Sequence, residues 1–181
     1  MDDSYIQKVL HGDVQAFRYF LTTYKDMAYT LAMSVVKDEF VAQEVVQDAF
    51  LKAFVNLQHF NKKSTFRTWF YRIVVNEALK RLKRLQKEKI LYGQEQNDAA
   101  VDNSMLLKMQ KEEQVKMINT ALDKLDPRES LVLRLFYLEE QNIKTLSEVM
   151  GLSIANIKVL LFRARKSMLQ VCNGLIKRSK M

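Results

Sequence analysis

The chain has 181 residues, a formal net charge of +8 from 29 Lys and Arg against 21 Asp and Glu, four Gly, one Pro, nine Met and one Cys. That length permits one or two small domains, and so few Gly and Pro argue against a β-rich fold, leaving the three-four apolar periodicity to read as all-α. Cys172 stands alone and His11 and His59 lie far apart, which excludes an intramolecular disulfide and a zinc-ligand cluster; no apolar run spans a bilayer and no secretory signal follows Met1, so a cytoplasmic protein with no cofactor and no metal is expected.

Residues 4–12 read as a short helix stopped at Gly12. Asp13 is a candidate N-cap for a longer helix to about residue 36, with Phe17, Phe20, Leu21, Tyr24, Met27, Ala28, Leu31 and Val35 on its buried stripe. Asp38 caps the next helix. Its inner face carries Val41, Val45, Ala49, Phe50 and Phe54, with Ala42, Val46 and Ala53 alongside, and its outer face carries Gln43, Glu44, Gln47, Asp48 and Leu51. A polar, basic loop over 59–63 leads to Ser64, the expected cap of a helix in which aromatics and cations interleave: Phe66, Arg67, Trp69, Phe70, Tyr71, Arg72, then Lys80, Arg81, Lys83 and Arg84.

Unpaired bases offer flat faces that stack on aromatic rings, and their phosphates call for Lys and Arg in the same groove, so this helix reads as a holder of opened nucleic-acid strand. The plainer reading is a helix with one buried face, since Phe66, Phe70, Ile73, Val74 and Ala78 recur at spacings of three and four. Trp69, Tyr71 and Arg72 do not all fit one narrow core stripe, and the basic tail lacks the acids of an ordinary solvated face.

From residue 90 to about 104 the periodicity fades and Gly, Gln, Asn and Asp accumulate, the pattern of a linker. Helical pattern resumes near Met105, and Asp126-Pro127-Arg128-Glu129 forms a helix start with a cap, Pro at the first position and an acid at the third. That helix points Leu131, Val132, Leu135 and Phe136 inward. Asn142 caps a short helix to Met150, Gly151 supplies a turn, and Ser153 caps a second helix from Ile154 to about Leu169. Helix, Gly-containing turn, helix is the DNA-binding helix-turn-helix pattern, although αα-hairpins that bind nothing share it. Lys158, Arg163, Arg165 and Lys166 follow the turn with no acid after Glu148, which favours duplex binding; Phe162 either meets a thymine methyl or joins the core.

Charge is laid down in blocks. Residues 61–92 carry 10 basic and 2 acidic groups and 127–181 carry 10 and 4, whereas 1–60 carry 5 and 8 and 93–126 carry 4 and 7. Two separated basic blocks point to two contacts on one long polyanion.

With both motifs in hand, the chain resembles a bacterial sigma factor of the extracytoplasmic-function (ECF) type, within the sigma-70 family. The resemblance rests on residues 42–54 (AQEVVQDAFLKAF), 64–76 (STFRTWFYRIVVN), 125–129 (LDPRE) and 151–153 (GLS) followed by Arg163-Ala164-Arg165, in that order and covering nearly the whole chain. It implies two helical domains, 1–88 and 116–181, joined by a flexible linker over 89–115, the second being a helix-turn-helix. It implies docking of Glu44, Gln47, Asp48 and Leu51 on the β′ clamp helices of core RNA polymerase, with further contact to the β subunit. Minus-ten capture and melting fall to Phe60, Asn61, Lys62, Lys63 and Ser64 with Arg67, Trp69, Tyr71, Arg72, Asn76, Lys80 and Arg84. Minus-thirty-five reading falls to Ser153, Ile154, Asn156, Lys158, Val159, Phe162, Arg163, Arg165 and Lys166. The resemblance further implies promoter DNA and a membrane-linked anti-sigma factor as partners, no membrane insertion by the chain itself, and no catalysis. The sequence departs from the family pattern at Lys62-Lys63, where a Gly-Asp pair is common, and at Val159-Leu160-Leu161 after Lys158.

Two other classes of function compete for the same residues. A stand-alone regulator binding duplex DNA explains the helix-turn-helix but leaves Trp69, Tyr71 and Arg72 without a task. An enzyme such as a nuclease would need metal-spaced carboxylates, a nucleophile-base pair or a Gly-rich phosphate loop, and none appears.

Overall fold

A computed structural model describes the backbone of residues 1–92 and 110–179 and the side chains of 1–88 and 115–175. The expected polar linker and the helical restart near Met105 lie largely outside these residues. Among the described residues regular structure is entirely helical.

The first helix, α1 (Asp2–Leu10), starts two residues earlier than the sequence pattern implies. It is pinned by its own first residue: the Asp2 carboxylate accepts the Tyr19 hydroxyl at 2.8 Å and the Tyr24 hydroxyl at 2.6 Å, while Tyr5 stacks on Tyr19 with ring centroids 4.0 Å apart. Asp13 caps as expected, accepting the Ala16 N–H at 3.2 Å, but the first turn it caps (Val14–Phe17) is a 3₁₀ turn that then opens into α2 (Arg18–Val36). On α2 Phe20, Tyr24, Ala28, Leu31 and Val35 are buried, whereas Leu21 faces solvent and Met27 is half-buried. Leu21 lies about 100° round the helix from Phe20, outside the stripe that meets the core.

Asp38, in extended conformation, accepts the Val41 N–H at 2.9 Å and starts α3 (Glu39–Asn56). The long α4 (Phe66–Tyr92) packs across α2 and α3 with Phe66, Phe70, Val74, Val75 and Ala78 fully buried. Its cap is Thr65, not Ser64. The Thr65 hydroxyl accepts the Thr68 N–H at 3.1 Å, three residues into the helix, while Ser64 lies one position too early to reach it.

In the second domain α5 (Gln110–Asp123) precedes α6 (Pro127–Leu133), whose cap Asp126 accepts the Arg128 N–H at 2.9 Å. α6 runs on into a wider π-type turn over Arg134–Leu138. Asn142 caps α7 (Ile143–Met150) through the Thr145 N–H at 2.9 Å, and Gly151 ends it in the left-handed conformation (φ 64°). Ser153 then accepts the Asn156 N–H at 3.2 Å to start α8 (Ile154–Ser179), which continues ten residues beyond the expected end near Leu169. The axes of α7 and α8 meet at 99°.

The two halves pack on each other, α2 against α6 and α4 against α7, and share one buried apolar cluster. Lys37, at the left-handed C-terminus of α2 (φ 56°), donates its ammonium to the carbonyls of Asp123 and Leu125. Burial holds this ammonium below the usual lysine range, and the nearby Asp123 and Asp126 carboxylates partly offset that.

Candidate nucleic-acid and polymerase interfaces

Three surfaces carry the residues singled out in the sequence. The outer face of α3 presents Gln43, Glu44, Gln47, Asp48 and Leu51 to solvent, Leu51 with 63% of its surface exposed. Phe40 and Val55 are exposed too and, at spacings of four, three, four and four from Phe40 through Glu44, Gln47 and Leu51 to Val55, extend one stripe along the helix. Binary patterning assigns such apolar residues to the core, and so it missed both. Glu44 is ion-paired with Arg81 of α4.

The second surface is a cleft of about 290 Å³ between the ends of α3 and α4, lined by Lys52, Asn56, His59, Trp69, Ile73, Asn76 and Glu77. Trp69 is half-buried, its ring 5.2 Å from Phe60 and 5.6 Å from Phe66. The ring is therefore held on one side by aromatic packing and borders the cleft on the other. Lys52 and Glu77 form an ion pair at 2.5 Å beside it. Sequence reading found Trp69 and Asn76 but missed Lys52, Asn56 and His59, which come from a different helix and its end. The 60–64 loop borders this region: Asn61 accepts the Lys63 N–H at 3.2 Å, and Lys62, held at φ 57°, reaches Asp3 of α1 at 3.4 Å. Arg72, Asn76, Lys80 and Arg84 are exposed, Arg84 pairing with Glu88 at 2.9 Å.

Tyr71 departs from the expected arrangement. It is fully buried, one of the largest buried side chains, because its position between Phe70 and Val74 turns it toward the packing surfaces. Its hydroxyl donates to Glu139 of the second domain at 2.5 Å, and Arg67 donates to the same carboxylate oxygen at 2.6 Å. Burial, reinforced by the Glu139 hydrogen bond, pushes the Tyr71 phenol well above its ordinary range. In this arrangement Tyr71 offers no ring face to a base.

The third surface is the first half of α8. Ile157, Leu161 and Ala164 are buried against the rest of the domain, so the opposite face carries Ile154, Asn156, Lys158, Val159, Phe162, Arg163 and Lys166 into solvent. Phe162 is 68% exposed, which removes its core alternative. Arg165 is exposed but engaged: it donates to the Tyr137 hydroxyl at 2.8 Å and lies over the Phe136 and Tyr137 rings at 5.7 and 5.6 Å. Ser153 is occupied as the cap of α8.

Residues 20–88 match the family model described as sigma-70 region 2, and residues 116–168 match the one described as sigma-70, region 4. The chain belongs to the sigma-70 family. Its relatives include ECF sigma factors: the ECF RNA polymerase sigma factor SigW of Bacillus subtilis (strain 168) is 25% identical over 175 residues, covering 90% of this chain and 92% of SigW. The ECF sigma-E factor of Haemophilus influenzae is 26% identical over 179 residues, covering 91% and 92%. The fold recurs in the sigma factor RpoE solved with the anti-sigma factor NepR from Bartonella quintana, with a TM-score of 0.68 at 19% identity, covering 88% of this chain and 98% of that one. CnrH, solved with the cytosolic domain of CnrY, superposes with a TM-score of 0.62 at 20% identity, covering 94% and 96%. This sigma factor is accordingly a non-enzymatic transcription-initiation protein that gives RNA polymerase its promoter specificity. Among the described residues no single helix is long and apolar enough to cross a membrane.

Proposed function

We propose that this sigma factor divides its task over the three surfaces. The α3 stripe, with Glu44, Gln47, Asp48 and Leu51 at its centre, docks on the β′ clamp helices of core polymerase, its acids giving register and Leu51 an apolar anchor. The second domain contacts the β subunit. The open cleft beside Trp69 and Asn76, flanked by the 60–64 loop, takes a base unstacked from the minus-ten strand. An amide at Asn76 can meet a base edge, the indole can take its face, and Arg72, Lys80 and Arg84 can follow the phosphates away from it. The exposed side of α8 enters the major groove of the minus-thirty-five element, Lys158 and Asn156 in its first turns meeting base edges and Arg163 and Lys166 the backbone.

The observation that carries this reading is the placement of Trp69. It is supported by Phe60 and Phe66 yet borders an open, polar cleft on a helix whose next exposed groups are basic, which a duplex-only regulator would have no use for. The setting is cytoplasmic, on the polymerase. The likeness to RpoE, solved with the anti-sigma factor NepR, supports an anti-sigma partner here, engaging one or both domains when transcription is off.

Reconstituted initiation tests the assignment. Bacterial core polymerase with this chain should open a promoter that neither component opens alone, with the chain alone showing little retention of the same duplex. Tight, sequence-selective binding of duplex by the chain without polymerase, and no opening with it, would overturn the reading.

A further inference from the structure

We infer that α8 reads its upstream element chiefly through thymine methyl groups, met by an apolar crest of Ala155, Val159 and Phe162. The inference rests on the proposed entry of α8 into the major groove. It names what that helix recognises there, beyond the polar contacts of Lys158 and Asn156.

α8 is fixed on its domain by Ile157, Leu161 and Ala164, which are buried. At about 100° per residue, Ala155, Val159 and Phe162 fall within about 60° of one another, on the side directed away from that buried trio. All three are exposed, Val159 with 49% and Phe162 with 68% of its surface. Their spacings of four and three make one continuous stripe, which Lys166 extends by a further turn. Lys158 lies about 40° outside the stripe on one side and Arg163 about 40° outside it on the other. Lys158, Arg163 and Lys166 are exposed and enter no ion pair among the described residues. An apolar crest between two cationic flanks matches the cross-section of a major groove, whose walls are phosphate and whose floor displays base edges. On that floor the thymine methyl is the apolar group, and the rest are hydrogen-bond donors and acceptors that Ala, Val and Phe side chains do not satisfy. The side chains that reach deepest therefore favour T·A pairs while the flanking cations hold the walls. An apolar patch of this kind also suits a protein partner, but cations on both of its flanks favour a polyanion.

The test uses holoenzyme assembled from bacterial core polymerase and the full chain, with a promoter duplex that it selects from a pool randomised upstream. Each upstream thymidine is replaced in turn by deoxyuridine, which removes the methyl and keeps every hydrogen-bonding group. At adjacent positions the replacement should weaken binding by about 3- to 5-fold each, the scale of one buried methyl. Phe162→Ala and Val159→Ala should each bind less tightly and lose the deoxyuridine penalty at one of those positions. Leu169→Ala, which trims another exposed apolar residue further along α8, should keep every penalty. Circular dichroism confirms that helix content is kept in the three variants. Convergence of the pool on an upstream sequence, followed by equal binding of its thymidine and deoxyuridine forms, would overturn the inference and leave the crest to a protein partner. Penalties that persist unchanged in both Phe162→Ala and Val159→Ala would overturn it too, because the methyl would then act through duplex shape. A pool that converges on no upstream sequence would instead sink the entry of α8 into the major groove, and the methyl reading with it.

Discussion

Glu44 of α3 is ion-paired with Arg81 of α4, so one acid on the proposed docking stripe also ties α3 to the aromatic-basic helix α4. Asp48, one turn further along α3, enters no ion pair among the described residues. The two acids therefore answer differently to the same substitution.

Asp48→Arg should abolish retention on core polymerase in a pull-down while shifting the urea midpoint little, by less than about 0.5 kcal/mol for a surface change of this kind. Glu44→Arg places two cations face to face and should lose both binding and roughly 0.5–1 kcal/mol of stability, the scale of a partly exposed pair. Full retention of Asp48→Arg at physiological salt would count against the α3 stripe as the docking face.

On α8, Arg163→Ala and Lys166→Ala should each flatten the salt dependence of promoter binding by about 0.9 in log–log slope if each cation neutralises one phosphate, and do so evenly across upstream elements. Arg165→Ala should behave differently from both, because Arg165 is spent on Tyr137 and Phe136. Its loss should lower stability by about 0.5–1 kcal/mol, the scale of an exposed cation–π contact. Lys158→Ala should change preference among upstream sequences as well as affinity. Titrations of holoenzyme on matched and mismatched elements separate the three behaviours.

Tyr71→Phe removes a buried hydroxyl that donates to a carboxylate and should cost about 1–2 kcal/mol at pH 7 in denaturant melts. The phenol is raised in the folded state above its unfolded value near 10, so the unfolded chain loses this proton first as pH rises. The Tyr71 contribution is therefore fully present below about pH 10 and declines above it. The gap between wild type and Tyr71→Phe should narrow there; a constant gap would show that the phenol's ionisation is not linked to folding.

Gly151→Ala should be destabilising by about 1 kcal/mol although the added methyl meets nothing within 4 Å, because φ is 64° and the cost is conformational. Since Gly151 sets the approach of α8 to α7, upstream-element affinity should fall with it. Promoter-binding and melting curves on the same sample check both.

Features that depend on near neighbours in the chain were legible in the sequence. Asp38, Asp126, Asn142 and Ser153 cap the helices they were expected to cap, and the buried stripes follow the three-four spacing, because caps and stripes are decided within one or two helical turns. Ser64 against Thr65 shows the limit of that resolution, since either hydroxyl satisfies the pattern and only loop geometry chooses. The aromatic-basic helix was legible as a helix, but Trp69 and Tyr71 read alike in sequence and part company in space, one bordering a cleft and the other covered. The cover is Glu139, 68 residues away, and nothing in local periodicity signals a contact at that separation. Lys52, Asn56 and His59 escaped for the same reason: the cleft exists only where the ends of two helices meet.

The most direct test of the account is promoter opening by holoenzyme carrying Trp69→Ala, on a fully paired promoter and on one with a pre-opened bubble. Trp69 is only half-buried, so the fold should survive with less than the roughly 3–5 kcal/mol lost when a fully buried ring is removed. One lost base stack is worth ~1–3 kcal/mol, which corresponds to roughly 5- to 150-fold in the opening equilibrium. The account predicts that defect on the paired promoter, near-normal binding of closed duplex, and recovery on the bubble. A stably folded Trp69→Ala holoenzyme that opens the paired promoter as well as wild type would contradict it.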